Sequence, residues 1–148
     1  MHIPERAMVK SQTSQHGSGT VTIESFDEGV RVLALEDPAR RNALSWALQA
    51  DLTSAVGTLA GDPAARVLVI TGRGPAFCTG ADLPEVFGNA GRHVADVRDT
   101  LRKVYASFLK IRELQMPTIA AVNGAATGAG VNLVSRGVDA WTLGGAGA

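Results

Sequence analysis

The chain has 148 residues, with 14 Lys and Arg against 14 Asp and Glu and a formal charge of zero, so no basic field is available to hold nucleic acid or anionic lipid. That length suits one small domain, and 45% hydrophobic residues with only 5% aromatic ones call for a core of Ala, Val and Leu rather than rings, which excludes wholesale disorder. The single cysteine, Cys78, excludes an internal disulfide and a multi-cysteine zinc site and fits a reducing compartment.

Residues 1–19 are polar and aperiodic, which predicts a mobile leader. Its start, Met1-His2-Ile3-Pro4-Glu5, lacks the basic and then apolar pattern of a signal peptide. No stretch approaches the roughly 18 apolar residues of a membrane span, so the expectation is a soluble, cytoplasmic protein. Val21-Thr22-Ile23-Glu24 alternates, Asp27-Glu28-Gly29 is turn chemistry and Val30 to Leu35 is apolar, together predicting a β-hairpin. Leu44, Leu48, Leu52, Val56 and Leu59 then recur at helical spacing, with Asn42 or Ser45 as N-cap and Gly61-Asp62-Pro63 as the stop. Val67 to Ile70 reads as a strand covered on both faces of a parallel sheet. A loop from Gly72 to Leu83 leads to a long helix marked by Val94, Val97, Leu101, Tyr105, Phe108 and Leu109, which Pro117 prevents from continuing. Thr118 to Val122 is another buried strand, and it runs into the glycine loop Gly124 to Gly130.

Strand, glycine loop and helix thus occur twice. A loop that opens a helix presents unpaired N–H groups at the positive end of the helix dipole, and small residues let a negative ligand approach. Phosphate is a weak candidate, because no Lys-Ser/Thr follows Gly130 and Phe77 falls where a third dinucleotide-binding glycine would stand. An oxyanion developing on a carbonyl is the second candidate, with Ala81 and Ala129 each near a helix start. The plainer alternative is that these small residues only permit tight turns and close packing.

Three ordered segments shift the balance toward the oxyanion: Asp37-Pro38-Ala39-Arg40-Arg41-Asn42-Ala43-Leu44; Ala76-Phe77-Cys78-Thr79-Gly80-Ala81-Asp82-Leu83; and Pro117-Thr118-Ile119-Ala120-Ala121-Val122-Asn123-Gly124 with Gly128-Ala129-Gly130. Over roughly Val21 to Leu133 this pattern resembles the crotonase family, the enoyl-CoA hydratases and isomerases. The resemblance implies an α/β fold, a crotonase-like spiral of β-β-α units, with residues 20–134 as its N-terminal core. It implies lyase or isomerase chemistry on acyl-CoA thioesters, as in fatty acid metabolism. The Ala81 and Ala129 N–H groups would polarise the thioester carbonyl and stabilise its enolate. Arg41, Ala43, Gly80, Asp82 and Leu83 match positions that line the coenzyme A site, and Arg40 with Arg41 could attract its phosphates. Coenzyme A is then part of the substrate, with no resident cofactor. Full-length members are expected to form homotrimers or hexamers.

Two features depart from that pattern. Hydratases of the family share acid/base work between two glutamates, and the first of these positions is Asn132, whose amide exchanges no proton at a useful pKa. After Leu133 the sequence loses the family pattern, so residues 135–148 are expected to be an atypical glycine-rich tail reflecting a fragment or a frame-shifted product. Two rival readings follow: an acyl-CoA-binding module without chemistry, and an inactive truncated product.

The remaining residues have mainly structural readings. His2, His16 and His93 lack metal spacing, so no metal is expected. Cys78 has no nearby His and is expected to be a buried, inert thiol. Asp82 suits a helix cap better than an acid/base, Glu85 is unassigned, and Trp46 and Trp141 read as packing residues. No Gly-x-Ser-x-Gly occurs, which removes a serine-hydrolase elbow.

Overall fold

The computed structural model describes residues 12–17, 20–88 and 93–144. Strands β1 (Gln12–His16), β2 (Val21–Ser25) and β3 (Val30–Leu35) form an antiparallel meander. Its second turn is tight because Glu28 and Gly29 adopt φ of 62° and 82°, the left-handed geometry that primed hairpin turns require. Helix α1 (Trp46–Ala60) follows, then β4 (Val67–Gly72), β5 (Ala76–Cys78), α2 (Leu83–Phe87) and α3 (Val94–Leu109). A 3-10 turn, Lys110–Glu113, ends α3, and β6 (Thr118–Val122), β7 (Ala125–Ala126), α4 (Ala129–Arg136) and β8 (Ala140–Leu143) complete the order.

The main sheet runs β1-β2-β3-β4-β6-β8, parallel from β3 onward. Register places Ile23, Leu33, Ile70 and Ala120 in one cross-strand row, and all four are buried. The adjacent row, Glu24, Val32, Val69 and Ile119, is only partly covered. Strand β4 is therefore packed on one face rather than on both, as its continuous apolar run had suggested. Helix α1 closes the packed face with Leu48, Leu52, Ala55, Val56 and Leu59. Ser45 is its cap, with Oγ accepting from the Leu48 N–H at 3.1 Å. No helix among the described residues is long and apolar enough to cross a membrane.

Both ends of the chain correct the sequence reading. Residues 12–16, expected in a mobile leader, form β1 in register with β2 from Gln12↔Ser25 to His16↔Val21. Thr13 and Ser14 are exposed, so this edge strand is paired through its backbone and has no apolar face for hydrophobic periodicity to reveal. Residues 1–11, 18 and 19 lie outside the described residues. At the other end, the loss of pattern placed after Leu133 falls later. Helix α4 continues to Arg136, and β8 pairs in parallel with β6. The Asp139 carboxylate fastens that join by accepting from the Thr118 N–H at 2.8 Å and its hydroxyl at 3.1 Å. Residues 145–148 lie outside the described residues.

The loops read between β4 and α2 and between β6 and α4 each contain a short strand, and these pair in parallel as β5 with β7. Strands of three and two residues carry too few side chains to show a period. Two asparagines hold them. Asn42 Nδ2 lies 3.0, 3.0 and 3.2 Å from the carbonyl oxygens of Arg73, Ala76 and Phe77, while its Oδ1 accepts from the Asp37 N–H at 2.8 Å. Asn123 approaches the same turn from β6: its Nδ2 donates to the oxygens of Gly74 at 3.0 Å and Ala76 at 3.3 Å, and its Oδ1 accepts from the Gly72 N–H at 3.1 Å. Asn42 thus ties three chain segments together instead of capping α1.

Replacing the fully buried Asn42 removes its donor from the Arg73 and Phe77 carbonyls, while Ala76 keeps that of Asn123. Asn42→Ala is expected to lower unfolding free energy by about 2–3 kcal/mol, the cost of leaving buried polar groups unpaired, measured as a lower urea midpoint with unchanged slope. Burial also pushes the Cys78 thiol up to about 11. At pH 8 iodoacetamide should therefore leave the folded chain unlabelled and modify Cys78 once urea unfolds it, since only the thiolate reacts.

Candidate active site

From β5 and β7 the chain enters two turns, Thr79-Gly80-Ala81 and Thr127-Gly128-Ala129, which lead into α2 and α4. Hydrogen bonds stitch the turns to each other. The Thr127 N–H donates to the Cys78 oxygen at 3.1 Å and the Thr127 hydroxyl to the Thr79 oxygen at 3.0 Å. At Gly130 a Cβ would stand 2.0 Å from the Cys78 oxygen, so only glycine lets α4 approach β5 this closely. At Gly80, where φ is 88°, a Cβ would stand 2.9 Å from the Thr127 oxygen and 3.1 Å from the Ala129 nitrogen. The first turn therefore lies directly against the Ala129 N–H.

The loop before α1 fixes the other side of Ala81. Leu44 and Ala81 form a parallel bridge in which the Leu44 N–H donates to the Gly80 oxygen at 2.7 Å and the Asp82 N–H donates to the Leu44 oxygen at 3.5 Å. That pattern uses the groups on either side of Ala81 and leaves its own N–H aside. Ala129 is the first residue of α4, where a helix N–H has no partner within the helix. Among the hydrogen bonds of the described residues, none uses the N–H of Ala81 or of Ala129.

Both alanines line a cleft of about 440 Å³. Leu83, Phe87, Leu101 and Val104 give it apolar walls, and Tyr105 and Asn132 are polar members of its lining. Asn132 Nδ2 donates to the Tyr105 hydroxyl oxygen at 3.0 Å. Tyr105 also packs on Phe108, with ring centroids 5.3 Å apart at 54°. Leu101, Val104 and Tyr105 carry only a helical period in the sequence, which does not distinguish a core stripe from a cleft wall. A lone hydroxyl-bearing ring in that stripe was the one available signal.

The other expected site residues divide by position. Leu83, 63% exposed, lines the cleft. Ala43 is buried in the loop before α1, and Arg41 is exposed at φ 52° with its carbonyl accepting from the Thr79 N–H and hydroxyl at 3.3 and 3.2 Å. Asp82 caps α2, accepting from the Glu85 N–H at 3.3 Å. Arg40 is held by acids rather than presented alone to a phosphate: its guanidinium lies 3.7 Å from Asp82, 3.4 Å from Glu85 and 4.0 Å from Asp37. Glu85 in turn accepts from the Trp46 N–H at 3.2 Å. This cluster pins the start of α2 to the segment before α1. Among the described residues, no group of three His, Cys, Asp or Glu could hold a metal ion. His2 lies outside the described residues, and His93 occupies the N-cap position of α3.

The chain is 43% identical over 109 residues to the "Probable enoyl-CoA hydratase" of Mycobacterium tuberculosis, a match covering 74% of this chain and 41% of that protein. A Rhodobacter capsulatus protein of the same description is 41% identical over 109 residues, covering 73% and 40%. Among solved structures, the enoyl-CoA hydratase of Mycobacterium smegmatis superposes with a TM-score of 0.75 at 35% identity, covering 84% of this chain and 47% of that one. That of Bacillus anthracis gives 0.73 at 30%, with coverage of 84% and 47%. The chain spans less than half the length of these relatives. Residues 25–137 match the enoyl-CoA hydratase/isomerase family, and with the spiral α/β fold of its structural neighbours the chain belongs to that family, the crotonases.

Proposed function

We propose that the chain acts on acyl-CoA thioesters, with the Ala81 and Ala129 N–H groups receiving the thioester oxygen. The observation that carries this reading is the pair of unengaged main-chain donors on contacting turns at the wall of an apolar cleft. When the carbon next to a thioester carbonyl loses a proton, charge moves onto the carbonyl oxygen. Donors fixed in advance stabilise that charge without reorganising, and loss of one such donor costs on the order of 10²–10³ in rate. The N-terminus of α4 adds the positive end of its dipole at the same point. Leu83 lines the cleft, and we assign coenzyme A, which enters as part of the substrate, to this residue with Gly80 and Asp82 beside it and Arg41 and Ala43 on the loop before α1.

Proton transfer is a separate requirement. Asn132 holds Tyr105 through its amide, and an amide neither takes nor gives a proton near neutral pH, so Asn132 contributes polarity and shape. This one observation favours a second reading, in which the cleft binds an acyl-CoA without turning it over.

Both readings require binding. Butyryl-CoA is expected to raise the melting temperature well above the effect of free CoA, because a ligand at 100 times its Kd stabilises the native state by about 2.7 kcal/mol. Equal shifts for the two would remove the carbonyl from recognition. Exchange of the α-hydrogen in D₂O, followed by NMR, separates chemistry from binding: exchange supports enolate stabilisation, and tight binding without exchange leaves the second reading. Gly80→Ala should cut exchange on the order of 10²-fold, since its Cβ intrudes at the Ala129 nitrogen, with circular dichroism checking that the fold persists.

A further inference from the structure

Helix α3 lies between two hollows. Leu101, Val104 and Tyr105 turn one face of it to the cleft, and about half a turn round the same helix a second groove of about 510 Å³ opens against α1. From α1 this groove takes Trp46, Gln49, Ala50 and Thr53, and from α3 it takes Lys103, Ala106, Ser107 and Lys110. Both sets are spaced i, i+3, i+4 and i+7, so each helix presents one continuous face about two turns long.

The uncharged polar groups of this groove are engaged with their own backbone. The Thr53 hydroxyl donates to the Gln49 carbonyl oxygen at 2.9 Å, the Ser107 hydroxyl to that of Val104 at 2.6 Å, and Gln49 Nε2 to that of Leu44 at 2.9 Å. The surface left over is apolar, with Ala50, Ala106 and Trp46 all exposed. Alanine at 50 and 106 keeps long side chains out of the space between the helices, so another backbone can come close. Two charges stand on the α3 side. Lys103 and Lys110 are exposed and one heptad apart, about 10.5 Å along the axis. Among the described residues neither has an ion-pair partner, whereas Arg98 and Arg102 of the same helix both pair with Asp99. No acidic side chain lines the groove, so a chain of zero formal charge carries an uncompensated positive strip here.

We propose that the groove between α1 and α3 docks an acidic amphipathic helix of a partner protein. Laid along the groove, such a helix packs its apolar stripe on Ala50, Ala106 and the Trp46 ring, completing a three-helix layer. Carboxylates spaced i and i+7 on one flank of the partner match the separation of Lys103 and Lys110. Charge complementarity selects this occupant: the floor is apolar and its only charges are positive, which favours a negatively charged partner and disfavours a basic one. An anionic lipid surface suits the strip less well, because two lysines fall short of the roughly four to eight basic residues that hold a segment on such a surface. The groove lies on the opposite face of α3 from the cleft, so the proposal is independent of the thioester reading.

Fluorescence anisotropy of the whole chain with a labelled, cross-linked helical peptide tests this surface. The probe carries leucines at i, i+4 and i+7 and glutamates spaced i and i+7 on one flank; its counterpart has lysines in place of the glutamates. The acidic peptide should bind saturably and about tenfold more tightly than the basic one, the effect of two exposed charge pairs. Lys103→Glu combined with Lys110→Glu should reverse that preference, and Ala106→Arg, which fills the groove, should abolish binding of both peptides. Circular dichroism of each variant checks that the fold persists. Absence of saturable binding, equal binding of the two peptides by the unaltered chain, or binding that survives Ala106→Arg overturns the proposal. It is equally overturned if the chain binds phosphatidylserine vesicles and not the peptide, or if sedimentation shows a dimer that Ala106→Arg dissociates, since the groove then serves a lipid surface or a second copy.

Discussion

The pairing of β5 with β7 is the contact on which the rest of the site depends. It is made almost entirely of backbone, joins strands of three and two residues, and brings two helix-leading turns into touch. So short a ladder is not stable alone. Asn42 and Asn123 supply the missing rigidity by donating from opposite sides to the same Ala76 carbonyl. Glycine at 130 is then a steric necessity, because any side chain would enter the space of the Cys78 oxygen.

The site inherits its chemistry from this backbone geometry. Leu44 engages the polar groups flanking Ala81, and the helical pattern of α4 has no partner for the first N–H at Ala129. Two donors are left over as a consequence of how the surrounding hydrogen bonds are arranged. The acidic cluster about Arg40 holds the outer end of the first turn. Charge is thereby spent on architecture, and among the described residues the cleft lining is apolar apart from the neutral side chains of Asn132, Tyr105, Thr79 and Thr127. Such a lining strengthens the electrostatic interactions made within it, since few waters compete.

Family membership and local chemistry speak to different levels. The sheet, the turns and the identity to enoyl-CoA hydratases place the chain among the crotonases, whereas the reaction depends on what the side chains in the cleft can do. One substitution of character, an amide where the resemblance leads one to expect a glutamate, changes the second without disturbing the first. Asn132 still occupies the helix face beside Ala129 and finds a partner in Tyr105, so the fold tolerates it through a hydrogen bond that needs no charge.

By itself the sequence determined the hairpin, α1, β4, α3 and β6, because each buries a stripe whose period is written in adjacent apolar residues. It also determined which loops carry small residues, and through the order of three motifs it pointed to Ala81 and Ala129. Tertiary structure alone decided that β1 belongs to the sheet, that β5 and β7 pair, that Asn42 is a clamp rather than a cap, and that Tyr105 meets Asn132. The reason is common to all four. These contacts run between backbone groups or lone polar side chains far apart in the chain, and such contacts leave no periodic trace in the residues that make them.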